Sequence, residues 1–185
     1  GIDVSKPAHI VNQVCGSGLR AVISGYQSIK LGEVKNVISG GQENMSLAPH
    51  SIFYRDNKKI LEKHLIDTMI NDGLIDAFNN YHMGVTAENV AKKFNISRVE
   101  QDDFALNSQK KTTNAINTNR FKEELVKINQ PGIKLDKDEH PRKMLTKSDL
   151  EKLKTVFLKD GTVTPGNSSG INDGAAALLL TTLEE

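Results

Sequence analysis

The sequence predicts an α/β fold in which a charged, largely helical segment is inserted between two apolar α/β segments. Three observations carry that prediction. An apolar run at residues 8–14 enters a glycine-broken turn, and helical spacing follows it directly. A second β-rich run, Val34 to Ser39, ends in Gly40-Gly41. After a Lys- and Asp-rich middle, Ala175 to Thr182 reads as a fully buried strand.

Taken in order, residues 8–14 are expected as a strand and 17–31 as a helix closed near Gly32. Leu19, Val22, Ile23 and Tyr26 supply the i, i+3, i+4, i+7 stripe. With the run at 34–39 this reads as strand–helix–strand, a βαβ unit that implies a parallel sheet. Residues 42–60 leave the sheet. From 61 to about 125 the pattern turns helical, with a helix over Thr86–Phe94. Ser97 and Glu100 form a capping box that opens a long polar helix over 98–118. Its apolar content is thin, so a surface position is expected. Residues 119–160 are broken at Pro131-Gly132 and Pro141, with a short helix around 148–154. The expected organisation is therefore 1–41, an insertion over 42–160, and a return over 161–185.

A chain of 185 residues can bury a core and form one domain or slightly more. Its net charge of +1 implies neither a polyanion nor a membrane surface as partner. Trp is absent and aromatics are 5%, which argues against base-stacking modules. No apolar stretch reaches membrane-span length. One cysteine permits no internal disulfide, and five histidines without close pairing make a metal site unexpected. The first residues read as neither signal nor transit peptide, so a cytoplasmic protein is expected, with a mitochondrial alternative.

The lone cysteine, Cys15, lies at the junction of strand, turn and helix. A helix N-terminus carries partial positive charge and unpaired N–H groups, which favour a thiolate. Gly16 and Gly18 clear space around the sulfur. Cys15 is thus a candidate nucleophile, against the alternative of a structural cysteine. Its base is not set by spacing: His9, His50, His64, His82 and His140 are all available. His82 before a helix is a hydrogen-bonded structural residue or, with Met83, part of an apolar channel with a donor for a carbonyl. The loop over 161–174 satisfies turn geometry or brings its backbone to a ligand, with Ser169 as donor. Arg142, Lys143, Lys147, Lys152 and Lys154 form a solvated face or meet a phosphate-bearing ligand.

Four segments together resemble the thiolase family: Val11–Arg20 around Cys15, Gly40–Ser46, Tyr81–Asn89, and Asp160–Thr164 running into Gly166–Ala177. The resemblance covers nearly the whole chain. It implies a partial thiolase-like layered fold whose inserted loop domain covers coenzyme A. It implies acetyl-CoA C-acetyltransferase chemistry: Claisen condensation of two acetyl-CoA to acetoacetyl-CoA and CoA, and the reverse thiolysis, in fatty acid metabolism. Cys15 would be the catalytic nucleophile, acetylated as a thioester. Leu74, His82 and Met83 would line the pantetheine tunnel. Arg142 would lie near the CoA nucleotide, Phe157 against CoA, and Gly166 and Ser169 on the pantetheine-contacting loop. No permanent cofactor or metal is implied, CoA being substrate and product. No nucleic acid or membrane partner is implied, and the protein would be a homo-oligomer, tetramer or dimer, through residues 42–66.

The chain departs from the family pattern at Pro165, where Ala is usual, at Asp149, where Ser contacts the CoA end, and at Gln42. The family's first strands and its C-terminal half, with Asn-Glu-Ala-Phe, Gly-His-Pro and a second cysteine, have no counterpart here. The expectation is a segment of a thiolase that does not turn over by itself. Two other readings stay open: a non-catalytic CoA-binding or assembly module of a split or truncated thiolase, and a longer-chain 3-ketoacyl-CoA thiolase.

Overall fold

The computed structural model describes residues 2–55, 59, 61 and 65–184. The chain folds as two compact units, Gly1–Met69 with Ile171–Glu185, and Ile70–Gly170. The two units divide at 69/70 and 170/171.

In the first unit, residues 8–13 are not a strand, contrary to the sequence expectation. A strand needs a hydrogen-bonded neighbour, and among the described residues none lies beside this run; Ile10 is fully exposed. A 3₁₀ turn, Val14–Gly16, leads into α1 (Ser17–Lys30). The helix stops where expected. Gly32 takes φ 73°, and the N–H groups of Gly32 and Glu33 donate to the carbonyls of Ile29 and Ser28.

β1 (Val37–Asn44) runs through Gly40-Gly41 rather than ending there. It pairs antiparallel with β6 (Asp173–Leu180), from Val37 opposite Leu180 to Asn44 opposite Asp173. A two-residue pair, β2 (His50–Ser51) and β3 (Ile66–Asp67), is also antiparallel. The βαβ reading is therefore corrected: without a strand before α1 there is no crossover between parallel neighbours. β6 is also not buried. Successive residues Leu178 and Leu179 are 57% and 66% exposed, so both of its faces are open. Only β1 pairs with it among the described residues. What does pack is one close approach: a Cβ at Gly25 would overlap Ser39, Leu180 and Val37, so this glycine lets α1 lie against the strands. Ser39 is buried and donates to the Ala21 carbonyl at 3.1 Å. Asp173 accepts from the Ser46 N–H at 3.0 Å and from its hydroxyl, which ties the start of β6 to the turn after β1.

The second unit opens with a single π-helical turn, Met69–Leu74 in full, then α2 (Met83–Phe94) and α3 (Arg98–Asn117). Of the stretch expected to be helical from residue 61, 62–64 lie outside the described residues. α2 ends on Asn95 in the left-handed region, and the capping box at Ser97 and Glu100 is formed in both directions. Ser97→Ala is expected to cost about 1 kcal/mol, read as a lower urea midpoint with unchanged slope.

Pro131-Gly132, read as a breaker, is the turn of a hairpin between β4 (Ile128–Gln130) and β5 (Ile133–Leu135). Pro presets φ at the first central position and Gly132 supplies φ 80° at the second, the demands of a type II turn. α4 (Lys147–Glu151) is the short helix expected, starting one residue earlier and ending three residues earlier. Among the described residues the buried apolar side chains are Ala91, Leu106, Leu150 and Val163, all in this unit, and Leu150 and Thr164 are wholly enclosed.

Candidate functional site

Cys15 is exposed and free, at the centre of the 3₁₀ turn that feeds α1. The residue before it is strained. Val14 adopts φ 49°, a conformation that a β-branched side chain strongly disfavours. Local bonds hold it there. The Asn12 side chain accepts from the Val14 N–H at 2.9 Å. The Ser17 hydroxyl accepts from the Gln13 N–H at 2.9 Å and donates to the Val14 carbonyl at 2.7 Å. The N-cap of α1, Gly16, offers no side-chain cap, and the Ser17 N–H donates to the Val14 carbonyl. The turn thus presents an accessible thiol to a positive helix end.

The other candidate residues lie in the second unit. His82 is the N-cap of α2, and its Nδ1 accepts from the Gly84 N–H at 3.0 Å. An accepting Nδ1 leaves the ring hydrogen on Nε2, which makes Nε2 a donor. The ring stacks on Phe157 with centroids 4.8 Å apart and planes 22° from parallel. That approach depends on Gly84, where a Cβ would overlap the Phe157 ring. Met83, next to His82, is partly exposed. Leu74 precedes Ile75, which bridges to His82 across a loop, so the chain carries Leu74 to the same place. His82 and Phe157 are thus brought together, with Leu74 one residue from the bridge partner of His82. The structural reading of His82 holds: its Nδ1 caps α2.

Gly166 packs on Leu150 and Leu153, where a Cβ would collide, and Ser169 is exposed a few residues on. Arg142 is exposed, and its backbone N–H donates to Gln109 at 2.9 Å. Lys147 pairs with Asp103 at 2.8 Å; its hydrogen bond to Asp103 raises the Lys147 pKa. Asp149 closes a capping box with Thr146, and the Thr146 hydroxyl and N–H hold its carboxyl below the usual range. Its carboxylate is occupied by its own helix. Of the other histidines, His9, His50 and His140 are exposed, and His64 lies outside the described residues.

The sequence reading missed the polar frame beneath these residues. Glu88 is buried and accepts from the Thr162 N–H at 2.8 and 2.9 Å, the Thr162 hydroxyl at 2.9 Å and the Val163 N–H at 2.8 Å. Burial pushes its pKa up, but the bonds from Val163 and Thr162 outweigh that and leave it lowered. Asp102, also buried, accepts from Arg98 Nε at 2.7 Å and from Asn167 Nδ2 at 2.9 Å. A signal was available. Gly84, Glu88 and Ala91 are the buried positions of α2, spaced i, i+4, i+7, so the sequence puts a carboxylate in the core-facing stripe.

The fold and the cysteine turn define a class: an α/β protein that presents an exposed thiol at a helix N-terminus. The family description "Thiolase, N-terminal domain" matches residues 1–184, and the chain belongs to that family. It is 49% identical, over all of its own length, to an acetyl-CoA acetyltransferase of Rhizobium meliloti, and 46% identical over 97% of its length to a probable acetyl-CoA acyltransferase of Staphylococcus aureus. The chain spans about half the length of these curated relatives, 48% and 47%. Among solved structures, the acetyl-CoA acetyltransferase of Syntrophomonas wolfei matches all of the chain with TM-score 0.91 and 34% identity, over 47% of its own length. Human mitochondrial 3-ketoacyl-CoA thiolase in complex with CoA matches 94% of the chain with TM-score 0.86 and 37% identity, over 44% of its own length.

Proposed function

We propose that this chain is the nucleophile-bearing half of an acetyl-CoA C-acetyltransferase, and that Cys15 carries the acetyl group. The observation that supports this most is the exposed thiol in a strained, side-chain-braced turn at the N-terminus of α1. In this reading the Cys15 thiolate attacks the thioester carbonyl of acetyl-CoA, and CoA leaves as its thiolate. The α-carbanion of a second acetyl-CoA then attacks the Cys15 thioester, giving acetoacetyl-CoA and the free thiolate. Thiolysis is the same sequence reversed. Leu74, His82, Met83, Phe157, Gly166 and Ser169 form the surface for the pantetheine arm, with His82 Nε2 as its donor, and Arg142 serves the nucleotide end.

The second step needs a base for the α-proton and donors for the oxyanion. The residues described above supply neither around Cys15, so the chain alone is expected to stop at the acyl-enzyme. The test is incubation with acetyl-CoA followed by peptide mass spectrometry. An acetyl adduct on Cys15, absent from Cys15→Ser, is the expected result. A wild-type thiol that alkylates freely with iodoacetamide yet takes no acetyl group would overturn the reading of this chain as competent for the first half-reaction. The likeness to a 3-ketoacyl-CoA thiolase favours one further comparison: acyl-CoA donors of increasing chain length, where a preference beyond acetyl would assign the longer-chain branch.

A further inference from the structure

The polar frame of the second unit has a branch point. Asp102 is 2% exposed, and its two carboxylate oxygens face different ways. Oδ2 accepts from Arg98 Nε at 2.7 Å, and Arg98 Nη2 in turn donates to the carbonyls of Leu150 at 2.6 Å and Leu153 at 3.1 Å. Those carbonyls end α4 and begin the segment that carries Phe157. Oδ1 accepts from Asn167 Nδ2 at 2.9 Å. The same Nδ2 donates to the Thr162 carbonyl at 3.0 Å, while Asn167 Oδ1 accepts from the Thr164 N–H at 2.8 Å. That side chain closes the loop on which Gly166 sits and from which Ser169 follows. Each oxygen of Asp102 therefore anchors one segment: Oδ2 the one that carries Phe157, on which His82 stacks, and Oδ1 the loop of Gly166 and Ser169.

We propose that Asp102 is a positioning residue: through Arg98 it sets the Phe157 segment, and through Asn167 the Gly166–Ser169 loop, so that the two walls keep a fixed spacing. The inference rests on the CoA reading above for its functional meaning, but not for its geometry. Asn at position 102 keeps the shape and loses an acceptor, so its amide must present N–H to either Arg98 or Asn167, both of which are donors.

The experiment uses the full chain as wild type, Asp102→Asn and Leu106→Ala. Leu106 is buried one turn along α3 and controls for lost stability alone. Amide resonances of residues 154–158 and 162–169, and the His82 ring protons shifted by the Phe157 ring current, report the two walls. Titration with CoA reports binding.

Asp102→Asn is expected to move both segments and the His82 ring protons together, and to weaken CoA binding roughly tenfold or more. Leu106→Ala is expected to lower the unfolding midpoint and leave the His82 ring shift in place. Resonances unchanged in Asp102→Asn would overturn the proposal. If Asp102→Asn does not fold, Arg98→Gln and Asn167→Leu cut the two branches one at a time. Unmoved walls in both would likewise overturn it. A wild-type chain that ignores CoA while the resonances respond as expected would reject the CoA reading and leave the positioning intact.

Discussion

Glu88→Ala is expected to unfold the second unit under mild denaturant. The wild-type carboxylate is the acceptor for two backbone N–H groups and a hydroxyl, all at 2.8–2.9 Å, in a place that water does not reach. Removing it leaves those donors unpaired. A buried donor without a partner costs ~1–3 kcal/mol, so a total loss of about 3–5 kcal/mol is expected. That is a large share of a typical domain's stability. Urea unfolding followed by the helical signal of α2 and α3 measures it, and a loss under about 1 kcal/mol would show that the loop finds other acceptors.

The charge of Glu88 gives the effect a pH signature. The folded pKa lies below the model-peptide value of 4.5. Its contribution to stability is therefore complete above that value and fades as pH falls through the lowered folded pKa. The gap between wild type and Glu88→Ala should narrow only in that acid range. A gap that is constant from neutral pH down to about pH 3 would assign the effect to packing rather than to the ionised carboxylate.

Gly84→Ala is expected to separate the two rings of the candidate site. On helix propensity alone the change would stabilise α2 by about 1 kcal/mol. Here the new Cβ would occupy the place of the Phe157 ring, whose carbons already lie against Gly84. Overpacking of this kind costs ~1–3 kcal/mol, and the ring is the part able to move. Phe157 would swing away, and the 4.8 Å stack on His82 would be lost. The His82 ring protons should shift downfield, and CoA binding should weaken. Ring protons that stay in place would mean the helix, not the aromatic side chain, had given way.

The parts of this molecule that local chemistry decides were readable in the sequence. The helix after Cys15, its stop at Gly32, the capping box at Ser97 and the helix before Phe94 all follow from patterns within a few residues. The misreadings share one cause, the assumption of neighbours. Residues 8–14 and 175–182 have strand-like composition, but a strand's state depends on what lies beside it. The first is not paired among the described residues, and the second has one partner and open faces. The site divided the same way. The chain's only thiol and the His82 cap stood out by residue type. The frame of Glu88, Asp102 and Asn167 did not, because its bonds join positions some 65–75 residues apart. The type II turn at Pro131-Gly132 was legible and was taken only as a break.

The pairing of β1 with β6 joins residue 37 to residue 180, with the whole second unit encoded between them. This makes the order of assembly on the ribosome asymmetric. β1 emerges early and must wait, unpaired, while some 130 further residues are synthesised before Asp173 appears. The second unit is contiguous in sequence and needs no such wait. Its helices can collapse around Leu150 and Val163 while the first unit is still in two pieces. The exposed apolar strand is thus made after the whole second unit and is the one on which closure of the first unit depends. Nascent chains halted anywhere before residue 173 would hold a folded second unit and an open, aggregation-prone first one.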